Sequence, residues 1–238
     1  MTRRSNSVEA PSGHPPVPDA NATTREDAAK ADGEERIEGA FRRARGEGRA
    51  ALMPYMMAGY PDHDASLAIA AAYADSGADL IELGVPFSDP LADGPTIHAA
   101  GTAALEAGAT LESSLEVCAS VSGRLPVVLM AYSNMILAHG GPSEFARRAA
   151  TAGAAAAIVP DLPLDEADEI RAALNGAGLA LVPLLAPTTT AARRSAICAA
   201  AQGFVYVVST VGTTGERGQL ADGLAELVER DCEILHFS

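Results

Sequence analysis

The sequence predicts an α/β fold in which helices cover a parallel sheet. Short apolar runs alternate with Ala-rich helical stretches along most of the 238 residues, and such strands are typical of parallel sheets buried on both faces. A doubly wound sheet and a TIM (β/α)₈ barrel both satisfy this pattern. The chain has no G-x-G-x-x-G after its first strand and no G-x-x-x-x-G-K-[ST], the motifs that mark nucleotide-binding α/β folds. The barrel is therefore the favoured prediction.

Six apolar runs predict the strands in chain order. They span residues 52–57, 79–85, 126–132, 155–161, 179–185 and 204–209. Several helical stretches between them close on a glycine, such as Gly77 and Gly153, which suits a left-handed helix C-cap. Ahead of the first strand, Ile37, Phe41 and Ala44 recur at helical spacing. This spacing predicts an amphipathic helix that covers part of the barrel.

Composition restricts the domain organisation and the class of protein. Residues 1–35 are polar, rich in Pro, Ser and Asn, and lack the apolar core of a signal peptide, which predicts a disordered leader before a barrel domain over residues 36–238. The formal charge of -14 argues against binding to nucleic-acid phosphates. Three scattered cysteines fit neither a disulfide framework nor zinc-ligand pairs, so we expect a cytoplasmic protein.

A glutamate interrupts the second apolar run, DLIELGV. Period-two alternation places Ile81, Leu83 and Val85 on one face of the strand, with Glu82 on the other. In a barrel the apolar face meets the helices, so Glu82 is expected to point into the interior. A structural carboxylate that pairs with an arginine is the alternative. Enzymes of this architecture keep their chemistry at the carboxyl ends of the strands, and an apolar environment raises the pKa of a carboxyl group, so Glu82 is a candidate acid/base.

The loop after this strand, PFSDPLADGP, carries two further carboxylates. Its three prolines make it stiff. Asp89 and Asp93 are both of a residue type that forms Asx turns, and for Asp89, which precedes Pro90, a purely structural turn is an equal alternative. Asp93 is the stronger candidate for chemistry.

These residues carry a resemblance to a known family. LIELGVPFSDPLADGPTI resembles the signature of the tryptophan synthase α subunits, and LMPYMMAGYPD, VLMAYSNMILAHG, AIVPDLP and FVYVVSTVGTTGERG agree with it. The resemblance runs from about residue 36 to about residue 230. It implies a TIM-barrel lyase of L-tryptophan biosynthesis. Its reaction would be the retro-aldol cleavage of indole-3-glycerol phosphate to indole and glyceraldehyde 3-phosphate.

The resemblance implies roles for three catalytic residues. Glu82 matches the acid/base that acts on the indole C3 atom and on the glycerol hydroxyl. Asp93 matches the carboxylate that stabilises the charge developing on the ring nitrogen. Tyr206, on the sixth predicted strand, matches a tyrosine close to the catalytic glutamate, with core packing as its alternative role.

Four residues are implied to bind substrate. Tyr132 matches an aromatic residue of the indole pocket, and Tyr55 takes a place usually held by Phe. Core packing is the alternative role of both tyrosines, and the match to the family outweighs it for Tyr132. The loop TVGTTGERG matches the family's mobile lid. In that loop Thr214 is expected to reach Asp93, and the backbone amide of Gly215 to contact the phosphate.

The resemblance implies a partner but no cofactor in this chain. Pyridoxal phosphate is expected only in a separate β subunit, which would form a heterotetramer with the α chain and receive indole through a tunnel. The residues agree with this expectation, because the only lysine, Lys30, lies in the leader and no lysine of the barrel can form an imine. The histidines follow no metal-ligand spacing.

The match to the family ends near the C-terminus. After LADGLAELVERD the family pattern continues with strands seven and eight, whereas this sequence continues with CEILHFS. We therefore expect an incomplete barrel with weak phosphate binding, because the loops after those strands hold phosphate in such barrels. Two alternatives remain: an inactive chain that only interacts with the β subunit, and a different sugar-phosphate enzyme, which rests on fold analogy alone.

Overall fold

The computed structural model describes residues 33–138, 140–186 and 188–208, and strands alternate with helices throughout. The strands are β1 (Tyr55–Met57), β2 (Ile81–Gly84), β3 (Val127–Met130), β4 (Ala156–Ile158), β5 (Ala180–Val182), β6 (Leu184–Leu185) and β7 (Tyr206–Val207). The helices are α1 (Gly33–Gly46), α2 (His63–Asp75), α3 (Pro95–Glu106), α4 (Leu111–Val121), α5 (Ser133–Leu137), α6 (Gly141–Thr151), α7 (Asp168–Gly176) and α8 (Ala191–Ala199), with a 3₁₀ turn at Leu164–Glu166. No helix within these ranges is long and apolar enough to cross a membrane.

All strand pairs are parallel and follow chain order. Strands β1 to β5 form one sheet in sequence, and β6 pairs with β7. Pro183 separates β5 from β6, so both belong to the fifth predicted run, and the Tyr206 amide donates to the Pro183 carbonyl at 2.9 Å. The six predicted strands are confirmed. Sequential order has no point at which the strand order reverses, and such a point defines doubly wound sheets, so the topology favours the barrel.

The two faces of the sheet pack against different neighbours. Ile81, Leu83 and Val85 lie in a large apolar cluster with the covering helices, as the alternation predicts. Leu80 lies in a second cluster on the interior face. One interior row of the register joins five positions across the sheet: Tyr55, Glu82, Val128, Ala156 and Ala180. The only carboxylate in this row is Glu82, so its side chain enters an otherwise apolar interior.

Helix α1 packs on the interior cluster. Ile37 and Ala40 are fully buried there. The Arg36 guanidinium donates to the carbonyl oxygens of Gly153 (2.9 Å) and Ser122 (2.7 Å), which fixes the helix to the loops that precede β4 and β3. The predicted covering helix is confirmed, although it already includes residues 33–35, on the leader side of the predicted boundary. The rest of the predicted leader, residues 1–32, lies outside the described residues.

Two helices were missing from the sequence prediction. Helix α3 begins with Pro95 at its first turn, directly after the aspartate-containing loop, and the short α5 follows β3. The predicted glycine caps are present. For example, Gly153 closes α6 with a φ of 79°, and a side chain there would also collide with Ser122. Both α3 and α5 start at the carboxyl end of a strand, so they frame the region that holds the candidate residues.

Candidate active site

Glu82 lies in the middle of β2 and is 3% exposed. Its Oε1 atom has no hydrogen-bond partner within the described part of the chain. Burial disfavours the charged form and raises the pKa of the carboxyl from 4.5 to about 7. A carboxyl with this pKa can both donate and accept a proton near neutral pH. Such a group supports acid/base chemistry rather than a structural ion pair.

Asp93 lies in the loop between β2 and α3, beyond the carboxyl end of the strand that carries Glu82. Its Oδ1 atom accepts a hydrogen bond of 3.0 Å from the Tyr132 hydroxyl. Partial burial raises the pKa of Asp93, while the bond from Tyr132 acts in the opposite direction. The two carboxyl groups therefore have different environments, and two such groups can hold different protonation states.

Tyr132 follows β3 and contacts the β2–α3 loop at three points. Besides donating to Asp93, its hydroxyl accepts a hydrogen bond of 3.0 Å from the backbone amide of Ala92. Its ring stacks on Phe87, with centroids 5.2 Å apart and planes at 28°. Sequence reasoning missed Phe87. The available signal was an aromatic residue in a loop composed mostly of polar residues, small residues and prolines.

Tyr55 and Tyr206 complete the group from β1 and β7. Tyr55 is the register partner of Glu82, so both side chains are on the interior face. Burial raises the pKa of Tyr206 to about 12, and the negative charges of Glu82 and Asp93 add to this effect. Burial also raises the pKa of Tyr55, and the same two carboxylates raise it further. The structure therefore brings together five sequence-predicted residues: three from strands, one from the segment directly after β3 and one from the β2–α3 loop.

Three further residues were named from the sequence: Asp89, Thr214 and Gly215. Asp89 is exposed and accepts a hydrogen bond of 2.5 Å from the neighbouring Ser88 hydroxyl, as expected for a turn residue. Thr214 and Gly215, with the rest of the predicted lid, lie outside the described residues. So do the segments in which strands seven and eight were expected to be incomplete.

The chain is similar to known proteins over most of its length. The family model described as "Tryptophan synthase alpha chain" matches residues 41–233. This chain belongs to that family. The family cleaves indole-3-glycerol phosphate in tryptophan biosynthesis, and its members are lyases.

Individual relatives agree with the family assignment. The tryptophan synthase alpha chain of Roseiflexus castenholzii is 48% identical over 198 residues, which cover 82% of this chain and 76% of the relative. That of Prochlorococcus marinus is 44% identical over 196 residues, 82% of this chain and 71% of the relative. A solved structure of Mycobacterium tuberculosis tryptophan synthase superimposes with a TM-score of 0.79 at 40% identity, over 85% of this chain and 77% of that one. The predicted TIM-barrel class and lyase family are thus confirmed.

Proposed function

We propose that this chain cleaves indole-3-glycerol phosphate with Glu82 and Asp93 as its catalytic residues. The observation that carries the proposal is the pair of carboxyl groups on β2 and in the loop that follows it. One is buried with a pKa near 7, and the other is held by a tyrosine hydroxyl. Family membership supplies the reaction, and this geometry supports the assignment of the roles.

The proposed reaction begins with proton transfer to the indole ring. Protonated Glu82 donates to C3, which leaves a positive charge that the ring nitrogen shares, and the Asp93 carboxylate stabilises this charge. Glu82 then accepts the proton of the hydroxyl on the carbon attached to C3. The O–H electrons form the aldehyde, the carbon–carbon bond breaks, and its electrons restore the neutral indole. The pKa of about 7 suits Glu82 to both steps, because both of its forms are populated near neutrality.

The neighbouring aromatic residues are proposed to shape the substrate pocket. Tyr206 lies close enough to Glu82 and Asp93 to respond to their charges, so it would contact substrate beside the glutamate. Tyr132 would line the indole pocket while its hydroxyl holds Asp93. The reaction moves only protons and electron pairs within the substrate and changes no net oxidation state, so we propose that this chain uses no cofactor of its own. The cytoplasm remains the compartment that we propose.

We propose the pyridoxal-phosphate-containing β subunit as the partner of this chain. The matching Mycobacterium tuberculosis structures are of tryptophan synthase, one of them in an aminoacrylate-bound form. Three large apolar side chains are exposed after β1, β2 and β3: Tyr60 (44%), Leu91 (84%) and Leu137 (54%). Exposed apolar residues grouped on one rim are typical of an interaction surface. This rim lies beside the active-site loop, where a partner would receive indole.

Indole release from indole-3-glycerol phosphate, with and without added β subunit, tests the activity. We expect Glu82→Gln and Asp93→Asn each to lower turnover by at least about 100-fold, because each removes a group that acts in the transition state. Glu106→Gln, an exposed glutamate at the end of α3, is the matched control and should be unaffected. Unchanged rates in both site variants would refute the assignment.

Co-elution with the β subunit tests the partner. Leu91→Asp should weaken complex formation, because it places a charge in the proposed apolar rim. Leu52→Asp is the control, since Leu52 is similarly apolar and 57% exposed but precedes β1 at the opposite end of the strands. Equal binding by the two variants would contradict the location of the interface. A complex that forms without any lyase turnover would instead support a purely interacting role.

A further inference from the structure

Tyr55 is half-buried, and its hydroxyl is a donor that lacks a strong acceptor. Its one hydrogen-bond contact among the described residues is the thioether sulfur of Met57, 4.0 Å away. Sulfur of this kind is a weak acceptor, and buried tyrosine hydroxyls usually find a hydrogen-bond partner. The Oε1 atom of Glu82, in the next strand, has no hydrogen-bond partner among the described residues. Two polar groups on adjacent strands are thus both left without strong partners inside an apolar barrel.

The side chain of Tyr55 leans toward the carboxyl ends of the strands. Tyr55 pairs with Glu82 in the register, and Met57 pairs with Gly84, two residues further along each strand and on the same face. The phenol end of Tyr55 contacts Met57 and lies against the backbone of Gly84. A Cβ atom at Gly84 would overlap the hydroxyl oxygen and lie 2.8 Å from Cζ. The absence of a side chain at Gly84 is therefore what admits the phenol to this position.

Burial, and after it the nearby carboxylates, keep the Tyr55 hydroxyl protonated. Burial raises the pKa of Tyr55 far above its usual value, and the nearby carboxylates Asp93 and Glu82 raise it further. The hydroxyl is therefore protonated, and able to donate a hydrogen bond, at neutral pH. It stands beside two acidic groups that act on the substrate under the proposed function, on which this inference rests.

The chemistry of the substrate limits what this donor can bind. The indole N–H group is itself a donor, and the phosphate oxygens lie at the far end of the glycerol chain. The acceptors next to the reacting carbon are the glycerol hydroxyl oxygens, and the one attached to that carbon must lie at Glu82 for proton transfer. We propose that Tyr55 is a further catalytic residue whose hydroxyl donates a hydrogen bond to this oxygen as it becomes the aldehyde oxygen.

The proposed bond fits the balance of the cleavage step. Glu82 takes the hydroxyl proton, the oxygen forms its double bond to carbon, and the electrons of the carbon–carbon bond return to the protonated ring. Between these events the oxygen carries partial negative charge, which a hydrogen-bond donor stabilises. Tyr55 loses no proton, so its hydroxyl is unchanged when the aldehyde leaves.

Turnover of Tyr55→Phe gives the first test. The substitution keeps the ring and removes only the hydroxyl, and we expect kcat/KM for indole-3-glycerol phosphate to fall by about two- to tenfold, the usual effect of one hydrogen bond. Tyr73→Phe is the matched control, because Tyr73 is half-buried on α2 and packs on the outer cluster, away from the site. A rate for Tyr55→Phe equal to that of the control overturns the inference.

Binding of two ligands separates a hydrogen bond from simple packing. In a Glu82→Gln background, dissociation constants are measured by calorimetry for indole-3-glycerol phosphate and for the propyl phosphate analogue that lacks both glycerol hydroxyls. Adding Tyr55→Phe should weaken binding of the first by about two- to tenfold and leave the second unchanged. Equal changes for both ligands, or no change for either, overturn the inference. If the unsubstituted chain releases no indole, the proposed activity fails, while this comparison still decides the role of Tyr55.

Discussion

Replacing Glu82 by Gln is expected to stabilise the folded protein at alkaline pH while removing its activity. The carboxyl is 3% exposed, and burial raises its pKa from 4.5 to about 7. Below pH 4.5 the group is protonated in both the folded and the unfolded chain, so it adds no pH-dependent term. Between the two pKa values the unfolded chain releases the proton and the folded chain retains it. The free energy of unfolding therefore decreases as the pH rises through this window.

The size of this effect follows from the two pKa values. Each unit between 4.5 and about 7 corresponds to about 1.4 kcal/mol, so the full destabilisation is about 3 kcal/mol at and above pH 8. Glutamine has nearly the same shape as protonated glutamate and does not ionise. Glu82→Gln should thus unfold at a higher urea concentration than the unsubstituted chain at pH 8.5, and at a similar one at pH 5.

Urea unfolding at several pH values, followed by circular dichroism, measures this difference. Glu106→Gln removes an exposed glutamate and should show no comparable pH-dependent gain, which separates the effect of burial from that of net charge. If the stability difference between Glu82→Gln and the unsubstituted chain is the same at pH 5 and pH 8.5, the carboxyl titrates normally. The argument from burial is then wrong, and with it the proposed proton exchange near neutrality.

Three further outcomes follow from contacts in the site and at the base of the strands. Gly84→Ala should lower lyase activity in the indole-release assay by about 10- to 100-fold, because the methyl group displaces the Tyr55 phenol. Adding Tyr55→Phe removes the closest overlapping atom, so the double variant should regain part of the lost activity. Tyr132→Phe removes a bond that lowers the pKa of Asp93, so the acid limb of the pH–rate profile should move to higher pH. The ion pair with Arg49 holds the pKa of Asp79 below 3.8, and Asp79→Asn removes this pair. The variant should therefore unfold at a lower urea concentration than the unsubstituted chain at pH 7, and the difference should shrink as the pH falls toward 3.

The strands could be predicted because a buried parallel strand leaves a continuous apolar run in the sequence. The position of Glu82 could be predicted for the same reason, since a charge in such a run is exceptional and period-two alternation fixes its face. Helix α3 could not. Its sequence, PTIHAAGTAALE, mixes small and polar residues and shows no clear apolar stripe at helical spacing.

The internal geometry of the site lay beyond the sequence. Tyr132 and Asp93 are 39 residues apart, and their hydrogen bond depends on the path of the β2–α3 loop. The sequence implied a tyrosine in the indole pocket but gave no sign that its hydroxyl also holds the loop. Similarly, the contact of Tyr55 with the backbone of Gly84 depends on two strands in register, which no local pattern encodes.

The attachment of helix α1 has a consequence for the order of folding during synthesis. The two carbonyl groups that bind Arg36 belong to residues 86 and 117 positions further along the chain. At about 5–20 residues per second, the ribosome adds the more distant acceptor roughly 6–23 s after Arg36. A 14-residue helix is only marginally stable alone in water. Helix α1 therefore precedes the strands in the chain but completes its docking only after β3 and the helices around it have been made.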